Sequence, residues 1–497
     1  MLDLLVVNPA AAHGLVGGHP IYGDLGNDLI AVEPPLFCRL IAGYVRDRGY
    51  SVKIIDAEAD RLNPESVARM VLDEQPRLIC IAAYGHQPSA STQQMVGAGE
   101  CAREIKKLAD ELPIIMVGGH PSALPEQTLR EEAVDYVGVG EGPITIIELL
   151  RGVTRREFYD GIPGLVWRNR FHSAGVTTNP QAPSIDLSEL HGDAWDLLPM
   201  EKYRAHQWQC LDDLSRRRPY ASIYTSLNCP FACSFCCISA PFGDHKYRTR
   251  DPEAVVNEIE RLYNERGIAT IKITDEMFVL RPSHYLAVCQ GLVDRGLGDK
   301  LNIWSYARVD TVKPETLSLL RRAGIRWLAL GIESASKHVR DGANKRMKTE
   351  DIVGTVKTIQ AHGINVIGNF MVGLADDTME TMRQTYDLAI ECMPDWTNWY
   401  STMAYPGSAL YAQALKEGWK LPPNWRSFSQ HNEDCFPLAN EHLTNAEILR
   451  FRDEAFNAFF TDPRYLSHVE KKFGAAALAH VRAMTTYKLK RKLLEAA

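Results

Sequence analysis

Residues 226–243 read SLNCPFACSFCCISAPFG, and this stretch decides how the rest of the chain is interpreted. It places Cys229, Cys233 and Cys236 in a C-x3-C-x2-C spacing on one short loop. Three thiolates at this spacing can bind three corners of an iron–sulfur cube. The fourth iron is then left open for a substrate or a cofactor.

Two other accounts of this loop stay open at this point. A structural zinc site needs a fourth Cys or His at partner spacing. The nearest histidine is His245, and the sequence has no second C-x2-C pair. The loop is otherwise a set of buried thiols or an incidental zinc site. The cysteines elsewhere in the chain stand singly. We interpret them as small buried residues, because disulfide scaffolds are typical of short secreted chains.

Six apolar runs that alternate with helical stretches surround and follow the cysteine loop. They occupy residues 222–228, 268–276, 301–310, 326–334, 364–374 and 395–408. Strands that alternate with helices indicate a parallel sheet. Six such units fit a partial (β/α)6, TIM-like barrel as well as a second open sheet, and the spacing alone does not decide between them.

A second set of strand–helix units precedes the loop. Its apolar runs lie at residues 2–9, 51–59, 77–85, 112–120 and 134–142. Near-continuous apolar strands of this kind are typical of a parallel sheet that is covered on both faces. We therefore predict an α/β chain with four parts: a Rossmann-like doubly wound domain, a linker, a barrel and a small helical C-terminal domain. The predicted bounds are residues 1–150, 151–215, 216–420 and 421–497.

The cysteine loop resembles the signature of the radical S-adenosylmethionine (SAM) superfamily, C-x3-C-x-Φ-C. Phe235 is the aromatic residue before the last cysteine, and the resemblance assigns it to the SAM contacts. The loop follows the first strand of the predicted barrel. The resemblance covers about residues 215–420. It implies a 4Fe–4S cluster on Cys229, Cys233 and Cys236 whose open iron is chelated by SAM. Cys237 lies outside the pattern and is not expected to ligate the cluster.

The resemblance also assigns SAM contacts to residues that end the later strands, where barrels of this kind carry their functional groups. Asp275 and Glu276 follow the second strand and are expected to accept hydrogen bonds from the SAM ammonium. Arg308 ends the third strand and can reach a carboxylate. Glu333 and Ser334 end the fourth and can contact the ribose or the amino acid. Each carboxylate taken alone is equally well a helix cap or a solvated group.

The N-terminal domain resembles the cobalamin-binding domain of the cobalamin-dependent radical SAM subclass. Residues 120–143 are similar to that subclass's loop after strand four, and GEGP at 140–143 is similar to its loop after strand five. The chain lacks the D-x-H-x-x-G motif that supplies a cobalt ligand in other cobalamin proteins, so His86 is either a hydrogen-bonding residue or a ligand. The residues expected against cobalamin are Tyr84, His86, Ser89, Ser91, Thr92, Gly118, Gly119, His120, Gly140, Glu141 and Gly142.

Two alternatives to a cobalamin domain remain. Asp56 ends the second strand, as a ribose-binding acid does in dinucleotide-binding domains, but residues 8–20 do not contain G-x-G-x-x-G. The domain is otherwise a vestigial one that binds nothing.

The resemblance implies a reaction as well as a fold. The cluster reduces SAM, the 5′-deoxyadenosyl radical takes a hydrogen atom from an unactivated position, and methylcobalamin supplies a methyl group that a second SAM restores. This favours a methyltransferase that acts on a carbon or phosphorus centre of a small molecule or natural-product intermediate. One alternative is a cyclisation or rearrangement without net methylation. The other is a non-catalytic cobalamin or iron–sulfur sensor.

Composition limits the class of partner. The chain has 497 residues, a net charge of −7 and 45% hydrophobic residues, which is typical of a soluble globular protein. No apolar run approaches the roughly 18 residues that span a bilayer, and no basic leader is present, so we expect a cytoplasmic enzyme. The basic residues of TYKLKRKLLEAA at 486–497 are expected on the solvated face of a helix, and nucleic acid is not expected as a partner. The expected partners are a small-molecule substrate and an electron donor such as flavodoxin or ferredoxin.

Overall fold

A computed structural model describes residues 2–9, 30–87, 89–152, 156–169, 175–348 and 351–495. The strands in these ranges are β1 (Leu4–Asn8), β2 (Val52–Asp56), β3 (Leu78–Ala83), β4 (Ile114–Gly118), β5 (Tyr136–Gly138), β6 (Leu165–Arg168), β7 (Val176–Thr178), β8 (Tyr220–Ile223), β9 (Ser226–Leu227), β10 (Arg248–Thr249), β11 (Thr270–Ile273), β12 (Asn302–Arg308), β13 (Ile325–Glu333), β14 (Asn365–Val372) and β15 (Trp396–Ser401).

The α-helices of the described ranges alternate with these strands and then close the chain. They are α1 (Leu36–Arg46), α2 (Pro64–Glu74), α3 (Ala90–Leu108), α4 (Gly119–Ala123), α5 (Pro125–Glu131), α6 (Pro143–Gly152), α7 (Pro252–Arg266), α8 (Pro282–Asp294), α9 (Pro314–Arg322), α10 (Lys337–Gly342), α11 (Ile352–Ala361), α12 (Met379–Cys392), α13 (Ala409–Glu417), α14 (Asn445–Thr461), α15 (Pro463–Phe473), α16 (Ala475–Met484) and α17 (Lys492–Glu495).

The N-terminal sheet has the strand order β2-β1-β3-β4-β5-β6-β7, and β1 to β5 run parallel. Its two faces are both covered, since successive residues of β1 pack into different clusters. Leu4 and Val6 pack with α1 and α6, while Leu5 and Val7 pack with α2 and α3. This confirms the predicted doubly wound domain. The order of the first five strands is the flavodoxin-like one, in which the strand order reverses between β1 and β3.

The second large sheet is the predicted partial barrel. Its order is β15-β14-β13-β12-β11-β8 with every pairing parallel, so the sheet is open between β8 and β15. Ordinary start and stop signals delimit its helices. The Asp251 side chain accepts a hydrogen bond from the Ala254 N–H at the start of α7, and Gly267, with φ of +65°, ends that helix.

The predicted linker adds two strands to the N-terminal sheet and contacts the barrel sheet. Strands β6 and β7 form an antiparallel hairpin that extends the N-terminal sheet next to β5. Farther along, the Gln209 Nε2 donates to the carbonyls of Ile271 and Asn302, both at 3.1 Å, near the amino ends of β11 and β12. The linker therefore covers the amino end of the barrel. The domain bounds at residues 150, 215 and 420 stay a prediction.

The C-terminal region is helical as predicted, and α14 packs beside β15 at the open side of the barrel. The expected basic helix over residues 486–497 is wrong for its first half, because within residues 486–495, the part of this segment that the structure describes, only Lys492–Glu495 is helical. Arg491 is buried rather than solvated, and its guanidinium donates to Asp453 and to the carbonyls of Asn432 and Gln430 at 2.8–2.9 Å. These bonds hold the preceding segment in a non-helical conformation.

No helix among the described residues combines the length and the apolar character that crossing a bilayer requires.

Candidate active site

Three neighbouring cavities are each lined by residues of the N-terminal domain and of the barrel. The sheet-edge cavity has a volume of about 80 Å³ and is lined by Asn8, Tyr84 and Gly119, among others. The central cavity, of about 310 Å³, is lined by the cysteine loop. The barrel lumen, of about 400 Å³, lies inside the barrel. His86 and Gln87 line all three, so the cavities meet at the loop that follows β3.

The cysteine loop forms one wall of the central cavity. Cys229, Cys233, Cys236 and Phe235 all line it, and Cys237 does so as well. Asn228, at φ of +71°, starts the loop, and its Oδ1 accepts a hydrogen bond from the Cys229 N–H at 2.8 Å. The thiols are free. The described residues contain no group of three or more His, Cys, Asp or Glu side chains that converge on one metal ion. A cube needs no such convergence, because each cysteine ligates a different iron atom.

Basic side chains lie next to the thiols. Burial raises the pKa of Cys229 to about 11. Burial also raises the pKa of Cys233, whereas Lys345 and Arg308 act to lower it. The buried Lys345 forms an ion pair with Glu333, and Arg308 stacks over the Phe231 ring at 4.0 Å. Two cations beside three cysteines fit a cluster whose sulfur ligands are held as thiolates.

Four of the six residues expected to contact SAM line the central cavity: Phe235, Glu276, Arg308 and Glu333. Burial raises the pKa of Glu276 to about 8, and its Oε2 has no hydrogen-bond partner among the described residues. An unpaired buried carboxyl oxygen is costly unless a ligand donor satisfies it. Glu276 therefore fits the ammonium of an amino-acid ligand.

Asp275 and Ser334 do not line any of the three cavities. Asp275 accepts hydrogen bonds from the Thr225 N–H (2.6 Å), the Thr225 hydroxyl (2.5 Å) and the Ser226 hydroxyl (2.6 Å). It therefore holds the segment that leads into the cysteine loop. Ser334 is fully buried, with its Oγ 3.2 Å from the Thr385 Oγ1.

Five of the residues expected against cobalamin line a cavity: Tyr84, His86, Ser89, Ser91 and Gly119. Tyr84 stacks on Phe37 with ring centroids 3.7 Å apart, and its hydroxyl donates to the Gly140 carbonyl at 3.2 Å. Asn8 at the end of β1 and Tyr84 beyond β3 place the sheet-edge cavity at the point where the strand order reverses. Open α/β sheets bind their ligands at this point.

The other six residues expected to contact cobalamin do not line the cavities. These are Thr92, Gly118, His120, Gly140, Glu141 and Gly142, and none of them lines the three cavities among the described residues. His120 lies 3.3 Å from the Thr92 hydroxyl, and burial lowers its pKa to about 3. Gly118 has a φ of +153°, and a Cβ there would lie 2.2 Å from the Ala83 carbonyl oxygen, so only glycine fits the turn. Glu141 pairs with Arg248 of β10 and ties the two domains together.

Asp56 does not behave as a ribose-binding acid. It accepts hydrogen bonds from the Asn8 side chain (2.8 Å) and the Tyr203 hydroxyl (2.7 Å), and burial raises its pKa to about 6. Both of its oxygens are used by the fold. Most of the glycine-containing loop at residues 8–20, the other feature of the dinucleotide hypothesis, lies outside the described residues.

Comparison with known proteins identifies both halves of this architecture. Residues 223–389 match the radical SAM superfamily, and residues 27–150 match the B12 binding domain. The chain is a radical SAM enzyme with a cobalamin-binding domain. Its cofactors are accordingly a 4Fe–4S cluster, SAM and cobalamin.

Curated relatives of this radical SAM enzyme span most of its length. The uncharacterized methyltransferase PH0819 of Pyrococcus horikoshii is 28% identical over 87% of this chain and 89% of its own. The anaerobic magnesium-protoporphyrin IX monomethyl ester cyclase of Cereibacter sphaeroides is 26% identical over 87% of this chain and 68% of its own. The radical SAM methyltransferase TsrM from Kitasatospora setae, solved with cobalamin and a [4Fe-4S] cluster, shares the fold with a TM-score of 0.65 at 21% identity, over 84% of this chain and 75% of its own.

Several residues of the central cavity were missed by the sequence analysis of this enzyme. They include Lys345, Tyr306, Asn369, Tyr400 and Gln430. Tyr306, Asn369 and Tyr400 sit at positions of β12, β14 and β15 that face inward, so the two-residue period of the strands is a signal that points to them. Lys345 and Gln430 come from turns without a periodic pattern.

Proposed function

We propose that this enzyme is a cobalamin-dependent radical SAM methyltransferase that acts on an unactivated carbon or phosphorus centre of a small molecule or natural-product intermediate. One observation carries the proposal. The cysteine loop of the barrel and the loop after β3 of the cobalamin-binding domain line the same central cavity. Cys229 and Cys233 contribute to its lining from the first loop, and His86 and Ser89 from the second. A substrate in that cavity contacts both cofactor sites at once.

The proposed cofactor contacts follow from the same cavity. Cys229, Cys233 and Cys236 would ligate the cluster. Glu276 would accept a hydrogen bond from the SAM ammonium, because its Oε2 lacks any other donor among the described residues. Arg308 would reach the SAM carboxylate. When bound, the cluster and SAM supply a 5′-deoxyadenosyl radical that removes a substrate hydrogen, and methylcobalamin supplies the methyl group.

Lys345 joins this set as a positioning residue. It pairs with Glu333, which has a φ of +63°, and both side chains line the central cavity. A non-glycine residue at positive φ is costly and persists only where its surroundings hold it. The ion pair would therefore keep Glu333 fixed beside the cluster and the SAM ribose.

The curated relatives favour methylation. PH0819, which covers most of the chain, is named a methyltransferase, and cytidylyl-2-hydroxyethylphosphonate methyltransferase of Streptomyces wedmorensis is 23% identical over 80% of this chain and 80% of its own. An electron donor such as flavodoxin or ferredoxin is part of the proposal, because each SAM cleavage consumes one electron.

The test is turnover by the reconstituted holoenzyme with SAM that carries a deuterated methyl group. Anaerobic protein loaded with cobalamin is incubated with a reductant and small-molecule extracts. We expect 5′-deoxyadenosine, S-adenosylhomocysteine and a product that contains the deuterated methyl. Formation of S-adenosylhomocysteine without 5′-deoxyadenosine would contradict the radical mechanism.

A second candidate is a cyclisation or rearrangement without methyl transfer. It is favoured by the similarity to the cyclase of Cereibacter sphaeroides over 87% of this chain. The same experiment separates the two. A cyclase gives 5′-deoxyadenosine and a product that carries no deuterium, whereas a methyltransferase places the label in the product. The sensor hypothesis is not retained, since the chain is an enzyme.

A further inference from the structure

The barrel lumen is hollow. In closed eight-stranded barrels, layers of side chains fill the interior. Here a cavity of about 400 Å³ remains between residues of β11 to β15, a size typical of small-molecule pockets. The strand residues that line it are Lys272, Trp304, Tyr306, Ala329, Ile367, Asn369, Trp396, Asn398, Trp399 and Tyr400.

The lumen is continuous with the central cavity. Tyr306, Asn369 and Tyr400 line both, as do His86 and Gln87. A molecule whose reacting atom lies in the central cavity can therefore extend its remaining part into the lumen. None of the proposed cluster or SAM contacts lines the lumen within the described ranges, so it is not taken up by those cofactors.

Aromatic rings dominate the floor and one side of the lumen. Trp208 of the linker meets Trp304 edge to face with centroids 5.1 Å apart, and Trp304 meets Tyr306 in the same manner at 5.0 Å. Edge-to-face packing fixes the orientation of each ring. The lumen therefore presents a rigid set of aromatic surfaces, which suits a flat apolar body.

One amide pair of the barrel strands offers polar contacts within the lumen. The Asn398 Nδ2 donates to the Asn369 Oδ1 at 2.9 Å. Among the described residues this is the one hydrogen bond of these two side chains, and both line the lumen. The pair leaves one amide donor and one amide acceptor unused, in whichever orientation the two amides are placed. A substrate oxygen can accept the unused donor.

The buried cations of the lumen are already paired. Lys272 lies 2.7 Å from the buried Glu33, and Arg452 lies 2.7 Å from Asp453. An anionic substrate could reach Lys272 only with loss of a buried ion pair, which is costly. A third cation, Lys488, is exposed at the edge of the lumen. The buried walls therefore favour an uncharged occupant. Beyond them, the lumen reaches solvent beside Tyr487, which is 48% exposed.

We propose that the barrel lumen holds the non-reacting body of the substrate, and that this body is an uncharged, planar ring system with an oxygen acceptor facing the Asn369–Asn398 amides. The inference rests on the proposed function, since it takes the central cavity as the place of reaction. It assigns the substrate class to a lipophilic ring compound and disfavours nucleotides and charged amino acids as the lumen's occupant.

The test is direct binding of three probes of matched size to the full-length holoenzyme with SAM present. They are 2-acetylnaphthalene, which is neutral with a carbonyl, 2-ethylnaphthalene, which lacks an acceptor, and the anion 2-naphthoate. Titration calorimetry gives each Kd. We expect 2-acetylnaphthalene to bind at least about tenfold more tightly than 2-naphthoate. Equal or tighter binding of the anion overturns the proposal.

Two variants locate the bound probe. Changing Asn369 and Asn398 together to Leu keeps the size of both side chains and removes both amides, so it should weaken 2-acetylnaphthalene about tenfold and leave 2-ethylnaphthalene unchanged. Ala329→Trp fills the lumen and should abolish binding of both, with iron content and circular dichroism as the check on folding of each variant. Asn257→Leu makes the same change at a surface asparagine that bonds Arg295, and should bind all probes like wild type. Unchanged 2-acetylnaphthalene binding by the folded double variant would refute the placement.

The inference and the proposed function fail separately. Probe binding needs no turnover, and formation of 5′-deoxyadenosine needs no probe. Protein that cleaves SAM but binds none of the neutral probes overturns the lumen assignment alone. Protein that binds the probes as expected but yields no 5′-deoxyadenosine overturns the proposed function alone.

Discussion

At the scale of single residues, the candidate site divides between groups that face the cavity and groups that hold those groups in place. Glu276 and its neighbour Asp275 show the division. Glu276 faces the central cavity with an unpaired oxygen, while both oxygens of Asp275 accept hydrogen bonds from Thr225 and Ser226. Two adjacent acids therefore carry different roles, which only their environments distinguish.

Replacement of the cavity acid tests this division. Glu276→Gln removes the carboxyl group that a bound SAM ammonium would draw into its charged form despite the raised pKa of about 8, and charge-assisted hydrogen bonds contribute about 1.5–3 kcal/mol. SAM affinity, measured by equilibrium dialysis on reconstituted protein, should fall at least about tenfold. Glu265→Gln, at an exposed position of α7, is the matched control and should bind SAM normally. Wild-type affinity in Glu276→Gln would remove this residue from the SAM site.

Some of these residues could be predicted from the sequence and others could not, for a physical reason. Cys229, Cys233 and Cys236 share one short loop, so their spacing alone brings them together. Lys345 reaches Glu333 from a turn after α10, and such a contact depends on the path of the backbone. Chain order likewise gave the expected place of Asp275 correctly but not the direction in which its side chain points.

At the scale of elements, strands and helices were predictable because their apolar periodicity is local. The C-terminal segment was not, since a run rich in Lys and Leu favours a helix until a buried partner competes. Arg491 is that exception. Its bonds to Asp453 and to two backbone carbonyls outweigh the local preference and leave Lys492–Glu495 as a single helical turn.

The contacts of Arg491 anchor the C-terminal segment, and they predict a loss of stability confined to the residues that follow α16. Arg491→Ala leaves the partly exposed Asp453 with Arg452 as its remaining ionic partner and removes the charge-assisted hydrogen bonds of a buried guanidinium, which contribute about 1.5–3 kcal/mol. Limited proteolysis should cut the segment that follows α16 much faster than in wild type. Lys490→Ala, at the exposed neighbouring position, should be cut at the wild-type rate. Equal rates for both variants would show that Arg491 is not an anchor.

At the scale of the whole molecule, a buried cation connects the two domains. The Lys272 Nζ of the barrel donates to Glu33 Oε2 at 2.7 Å and to the His86 carbonyl at 3.1 Å, both in the N-terminal domain. The Lys272 charge, aided by His206, overcomes the opposing effect of burial and holds the pKa of Glu33 well below its usual range. Lys272, which lies inside the barrel, thus helps to position the loop after β3 of the N-terminal domain.

This connection predicts a pH-dependent loss of stability. In Lys272→Met the Glu33 carboxylate is left buried beside His206, which should cost about 3–5 kcal/mol at pH 7.5. Without Lys272, burial raises the Glu33 pKa above its ordinary value, so the carboxylate costs stability above that pKa, and the deficit of the variant should shrink as the pH falls and the carboxyl takes up a proton. The difference in Tm between wild type and variant, measured at pH 7.5 and 5.5, should be larger at pH 7.5. A deficit that grows toward pH 5.5 would contradict the assignment.

The central claim is that three thiolates of the barrel hold the cluster in a cavity shared with an independently formed cobalamin site. The most direct test is iron and cobalamin per chain after anaerobic purification, for wild type and for the variant with Cys229, Cys233 and Cys236 all changed to Ala. We predict about four irons and one cobalamin in wild type, and cobalamin without iron in the variant. Full iron content in the variant, or wild type that takes up iron but no cobalamin, would contradict the account.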